Sequence, residues 1–141
     1  MGVVQPTSAH LAALNPDALQ AQADTLLNKR LHELNNLLPR TIGMLGPEGR
    51  SYILRFASDY WPTGHLRHLE DAWRFCDFLK IKGISICQSE YNWVRFIFSR
   101  KRASVHWVRD FDVRGKSRFA LQFLYWNRNG VPQEFGLYSR L

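Results

Sequence analysis

The chain is short of most features that announce a function. It holds only two cysteines, Cys76 and Cys87, in 141 residues. A secreted domain stapled by disulfides carries more, and the spacing suits no structural zinc site. Two isolated thiols fit burial in a reducing compartment, so a cytoplasmic location is the expectation. No apolar run approaches the roughly 18 residues that cross a bilayer, which excludes a membrane helix. The opening MGVVQPTSAH has no basic segment followed by an apolar one, so no secretory leader is expected. Gly2 is present, but position 6 is Pro rather than Ser or Thr, against myristoylation.

Catalytic signatures are missing as well. GxSxG, CxxC, HExxH and DxDxDG do not occur. RGKS at 114–117 shares its last residues with a phosphate-binding loop but lacks the upstream Gly and the following helix; it reads as a hairpin turn. RFALQFLYW has the aromatics of an RRM strand without the glycine spacing or the element order of that fold. His65, His68 and Asp71 fall on one helical edge, but Arg67 stands at i,i+4 from Asp71 and no fourth ligand accompanies them. No metal and no cofactor is expected.

Negative charge is scarce in one half only. Residues 1–80 hold eight cations and eight anions, whereas residues 81–141 hold eleven cations against Glu90, Asp110, Asp112 and Glu134. The second half therefore carries the whole net charge of +7. A one-sided field of this kind suits a polyanionic partner, with solubility as the plainer alternative.

What is present is an ordinary globular composition, 45% hydrophobic and 22% charged, with aromatics high at 13%. The length suits one domain, 1–141, and a core that needs no staples. Residues 1–82 read as helical. Thr7 or Ser8 offers a cap for a short turn. Asn15, Pro16 and Asp17 form a helix start, Leu27, Leu31, Leu34 and Leu38 recur at helical spacing, and Pro39 stops the run. Pro47 opens a second helix, ended by Pro62. A third runs through residues 66–80, with Arg67–Asp71 and Glu70–Arg74 pairs outside and Gly83 past its end.

After Gly83 the period changes to two, and residues 83–141 read as a basic antiparallel sheet. Strands are expected at 84–87, 93–98, 103–111, 119–127 and 131–139, the last at an edge because of Pro132. Asn129-Gly130 signals a two-residue hairpin. The fold expected is α+β: about three N-terminal helices on one face of a four- to five-stranded antiparallel meander.

The triple cation Arg100, Lys101, Arg102 then reads as a hairpin tip joining strands 93–98 and 103–111. Pairing Phe98 with Ala103 puts Val94, Phe96, Phe98, Val105, Trp107 and Phe111 on one apolar face, turned to the helices. Trp93, Arg95, Ile97, Ser104, His106 and Val108 take the other face. In a meander, Arg100, Lys101, Arg102 and Arg128 share one end of the sheet; Arg114, Lys116, Arg118 and Arg140 share the other. Charged strand ends also discourage edge aggregation, although three consecutive cations exceed that need.

Arginine interleaved with aromatics neutralises phosphates and stacks on bases. The reading is a non-enzymatic protein that binds nucleic acid, or a ribonucleoprotein or other nucleic-acid-handling complex. Arg100, Lys101, Arg102, Arg114, Lys116, Arg118, Arg95 and Arg128 would meet phosphates, and Trp93 and Trp126 would stack. A second reading is a small inhibitor or adaptor docking on the acidic surface of another protein, since Arg and aromatics also dominate interface hot spots. A third is a small basic toxin-like ribonuclease using His106, Glu90, Arg95 and Arg109. A winged helix with SRKR at the wing tip is disfavoured by the acidic residues Glu70, Asp71 and Asp77 on its reading helix. The oligomeric state is open.

Overall fold

The computed structural model describes residues 15–140. The turn expected near Thr7 and Ser8 lies outside them. Helices come first and a three-stranded antiparallel sheet follows, an α+β architecture.

Helix α1, Pro16–Leu37, starts as the sequence says: the Asn15 side chain accepts from the Asp17 amide at 3.0 Å and Pro16 takes the first position. The chain breaks at Leu38 and restarts as the short α2, Pro39–Leu45. A 3₁₀ turn, Gly46–Glu48, leads into α3, Gly49–Asp59, and α4 spans Arg67–Ile81. Gly83 ends α4 with φ +74°, and the Ile84 amide reaches back to the Leu79 carbonyl at 2.9 Å. Leu34, Leu38, Ile53, Phe56, Leu69, Ala72, Phe75 and Leu79 bury the apolar stripes of these helices in one cluster.

The next segment departs from expectation. No strand forms at 84–87 or 93–98; Gln88–Ser99 is a helix, α5. The Ser99–Arg102 hairpin and its register therefore do not exist. α5 is wedged between two layers: Val94 joins the helical core while Phe96 stacks on Trp126 of the sheet at 5.6 Å. The helix keeps a 3.6-residue amphipathic pattern, but its aromatic and β-branched content over 93–98 imitates a strand.

The sheet has three strands rather than four or five: β1 Ala103–Val113, β2 Lys116–Trp126 and β3 Pro132–Leu137, in that order. Arg114 and Gly115, both at positive φ, make the tight turn between β1 and β2. Asn129-Gly130 marks a hairpin, but with three loop residues. The Asn127 amide bonds to the Val131 carbonyl, Gly130 takes φ +72°, and the Asn127 side chain accepts from the amides of residues 129 and 131. β3 lies at an edge, opening with Pro132.

Up to Val108, the face of β1 that meets the helices is also the reverse of expectation; past the bulge, Phe111 lies on the inner side as expected. Val108, Ala120, Gln122 and Leu124 are buried against α5, and His106 lies on the same side; Val105 and Trp107 face solvent, 53% and 74% exposed. With the hairpin register gone, nothing ties β1 to the parity of residues 93–98. A bulge between Val108 and Phe111 then shifts the pairing by one, and brings the Phe111 ring over Gly136 where no side chain fits.

Candidate functional site

The outward face of the sheet has the parity left over once the inner one is filled. Pairing sets Val105, Phe123 and Phe135 in one row, and Trp107, Leu121 and Leu137 in the next. Tyr125 and Phe119 extend the patch towards its two ends. Trp107 is the most exposed of these at 74% and Phe119 follows at 66%. Phe123 and Phe135 stack at 4.7 Å, and the Arg109 guanidinium lies 5.7 Å from the Phe119 ring centre. Contiguous exposed apolar surfaces of this kind are uncommon on soluble monomers.

Cations flank it. Arg100 sits in the left-handed conformation just past α5, followed by Lys101 and Arg102 at the end where β1 begins and β2 finishes. Arg128, in the β2–β3 turn, is at that same end. Arg114 and Lys116 lie at the opposite end, in and beside the β1–β2 turn. All six are exposed. Arg118 is half-buried with the inward parity of β2. Arg95 is exposed on α5, its guanidinium 4.5 Å from the ring centre of Trp73.

Each of the four carboxylates of the basic half has a hydrogen-bond partner. Glu90 accepts from the amides of Arg40 and Thr41 and from the Thr41 hydroxyl, capping α2 at 2.6–2.8 Å. Asp110 accepts from the amides of Gln88 and Ser89, capping α5 at 2.6 and 2.9 Å. Asp112 accepts from the Gly115 amide inside the turn. Glu134 sits opposite Leu124 with inward parity and takes a 3.2 Å bond from Gln122. Helix N-termini and a turn amide thus hold three of the four.

Trp93 and Trp126, expected as stacking residues, are elsewhere. Trp93 packs within the helical layer on α5. Trp126 faces inward, stacks on Phe96 and donates its indole N–H to the Lys101 carbonyl at 2.8 Å. The exposed aromatics Trp107, Phe119, Tyr125 and Phe135, with the half-buried Phe123, take their place. The residues weighed for a ribonuclease do not gather. His106 sits below the sheet beside the Ser104 hydroxyl at 3.1 Å, and burial holds its pKa below the usual value. Arg109 faces outward, Arg95 lies on Trp73, and Glu90 serves as a cap.

A cleft of about 400 Å³ runs between α2, α5 and the sheet, lined by Arg40, Ser89, Glu90, Trp93 and Glu134 among others. His106, Arg95 and Arg109 are not part of it. Burial raises the Glu134 pKa, partly offset by the Gln122 bond and by Arg40. A carboxylate raised in the folded state favours folding while protonated and opposes it once ionised. Glu134→Gln should therefore raise the melting temperature near pH 7, with the gain fading as pH falls towards about 4.3, the unfolded value, and absent below it. Thermal melts of both proteins across that range check the sign. Cys76 and Cys87 are both buried free thiols whose pKa values burial raises, which leaves them unreactive.

Comparison with protein-family models, with curated proteins and with solved structures finds no match to this chain.

Proposed function

We propose that this protein binds single-stranded nucleic acid on the outward face of its sheet and is not an enzyme. The observation that carries the reading is the separation of charge from apolar surface. Aromatic rings occupy the centre, cations sit at both ends, and three of the four nearby carboxylates accept from backbone amides. Bases stack on exposed rings while phosphates reach Arg100, Lys101, Arg102 and Arg128 at one end and Arg114 and Lys116 at the other. A duplex keeps its bases paired and offers such a platform little, so single strands are favoured.

The test is fluorescence anisotropy with single-stranded RNA, single-stranded DNA and duplex DNA over a salt series. Joint replacement of Arg100, Lys101 and Arg102 by Ala should flatten the slope of log Kobs against log salt by about 2 for a single strand. An unchanged slope removes these residues from the interface.

One observation favours a second reading. Val105, Leu121 and Leu137 share the face with the rings, and aliphatic side chains suit a protein partner better than bases. An adaptor docking on an acidic protein would show no affinity for free nucleic acid at low salt and would co-purify with its partner.

A further inference from the structure

A second feature lies in the helical half, far in sequence from the basic sheet. The first residues of α4, Arg67 and His68, line a cleft of about 80 Å³ together with Leu26, Lys29, Arg30 and Trp61. α4 is 15 residues long, its cap position is held by Leu66, and no side chain caps its first turn. The amide groups there carry the positive end of the helix dipole.

Arg30 is the second, independent observation. It lines the cleft at only 6% exposure. Its Nε and Nη2 grip Asp71 at 2.7 and 2.6 Å, Nη2 also donates to the Tyr60 carbonyl, and Phe56 and Trp61 lie about 5 Å from its guanidinium carbon. Nη1 is buried with no hydrogen-bond partner among the described residues. A buried guanidinium N–H left unpaired is costly, and an acceptor arriving from the cleft would relieve it.

We propose that this cleft binds a small oxyanion, the carboxylate or phosphate group of a low-molecular-weight ligand. Asp71 neutralises Arg30. Of the remaining lining charges, Lys29 and Arg67 oppose Glu33 alone, so the cleft suits a singly charged group. Its volume fits one such group and not a whole nucleotide. Trp61, 59% exposed, and Leu26 offer an apolar surface for the rest of the ligand.

The test is a ¹H–¹⁵N correlation titration of the full chain at constant ionic strength, with inorganic phosphate in one arm and benzoate in the other. Saturable shifts of the Arg67 and His68 amides and of the Trp61 indole are expected. The arm that saturates at lower concentration identifies the ligand as phosphoryl or carboxylate. Lys29 and Arg67 are exposed, so Lys29→Ala with Arg67→Ala should fold normally and weaken binding by about tenfold or more. The Arg100, Lys101, Arg102 triple variant should leave the titration unchanged, which separates this site from the sheet. Linear shifts without saturation, shifts confined to the sheet cations, or an unaltered response in the double variant would overturn the proposal.

Discussion

Asp71→Ala should lower the free energy of unfolding by about 3–5 kcal/mol, because it leaves a buried guanidinium without its counter-ion. Both partners are about 95% buried, and the bond is two-pronged. Arg30 has nowhere else to go: the Tyr60 carbonyl and two aromatic rings hold it in place. Replacing both residues at once, Arg30→Met with Asp71→Leu, should recover most of the loss, since apolar groups of similar volume often substitute for a buried pair at little cost. Urea denaturation of the two single variants and the double variant measures the coupling directly. A single-variant loss below about 1 kcal/mol, the range of surface pairs, would mean the pair is not desolvated.

Trp107→Ala combined with Phe123→Ala should weaken binding of single-stranded nucleic acid by about 2 kcal/mol per ring, roughly thirtyfold each. The salt slope should stay as it was, because no phosphate contact is lost. The cation variant should do the opposite, changing the slope more than the affinity extrapolated to high salt. Trp93→Ala and Trp126→Ala should instead cost stability, since each half-buried ring packs against other side chains of the protein. A protein whose rings and cations could be removed with no effect on oligonucleotide affinity would be reassigned to the adaptor reading.

How much of this was legible in the sequence depends on where each element gets its support. α1 announces itself because its cap, its N1 proline and its leucine spacing are all local. The Arg114–Gly115 turn and the Pro132 edge are local too. α5 is not: Cys87 at its cap position makes no side-chain cap, and the capping carboxylate is Asp110, twenty-odd residues on. Asp71 shows the same limit. Its i,i+4 neighbour Arg67 was the visible partner, yet Arg30, 41 residues away, makes the bond. The charge partition was plain from the sequence. That its four anions are tied up by amides and by Gln122 was not, because hydrogen bonds to backbone leave no mark on spacing.

The long-range caps have a consequence for how the chain folds. Neither α2 nor α5 can complete its first turn alone: α2 waits for Glu90 on α5, and α5 waits for Asp110 on β1. The side chain of Arg40 closes the loop by bonding the Asp110 carbonyl and the Ser117 hydroxyl at the start of β2. Helical and sheet segments are thus mutually conditional, and loop closures of 21 to 77 residues must precede the gain. Folding should be slower than the helix content suggests. A fragment cut after Ser99 would lose α5 along with the strands, so the boundary near residue 82 that the charge distribution draws is not a boundary of stability.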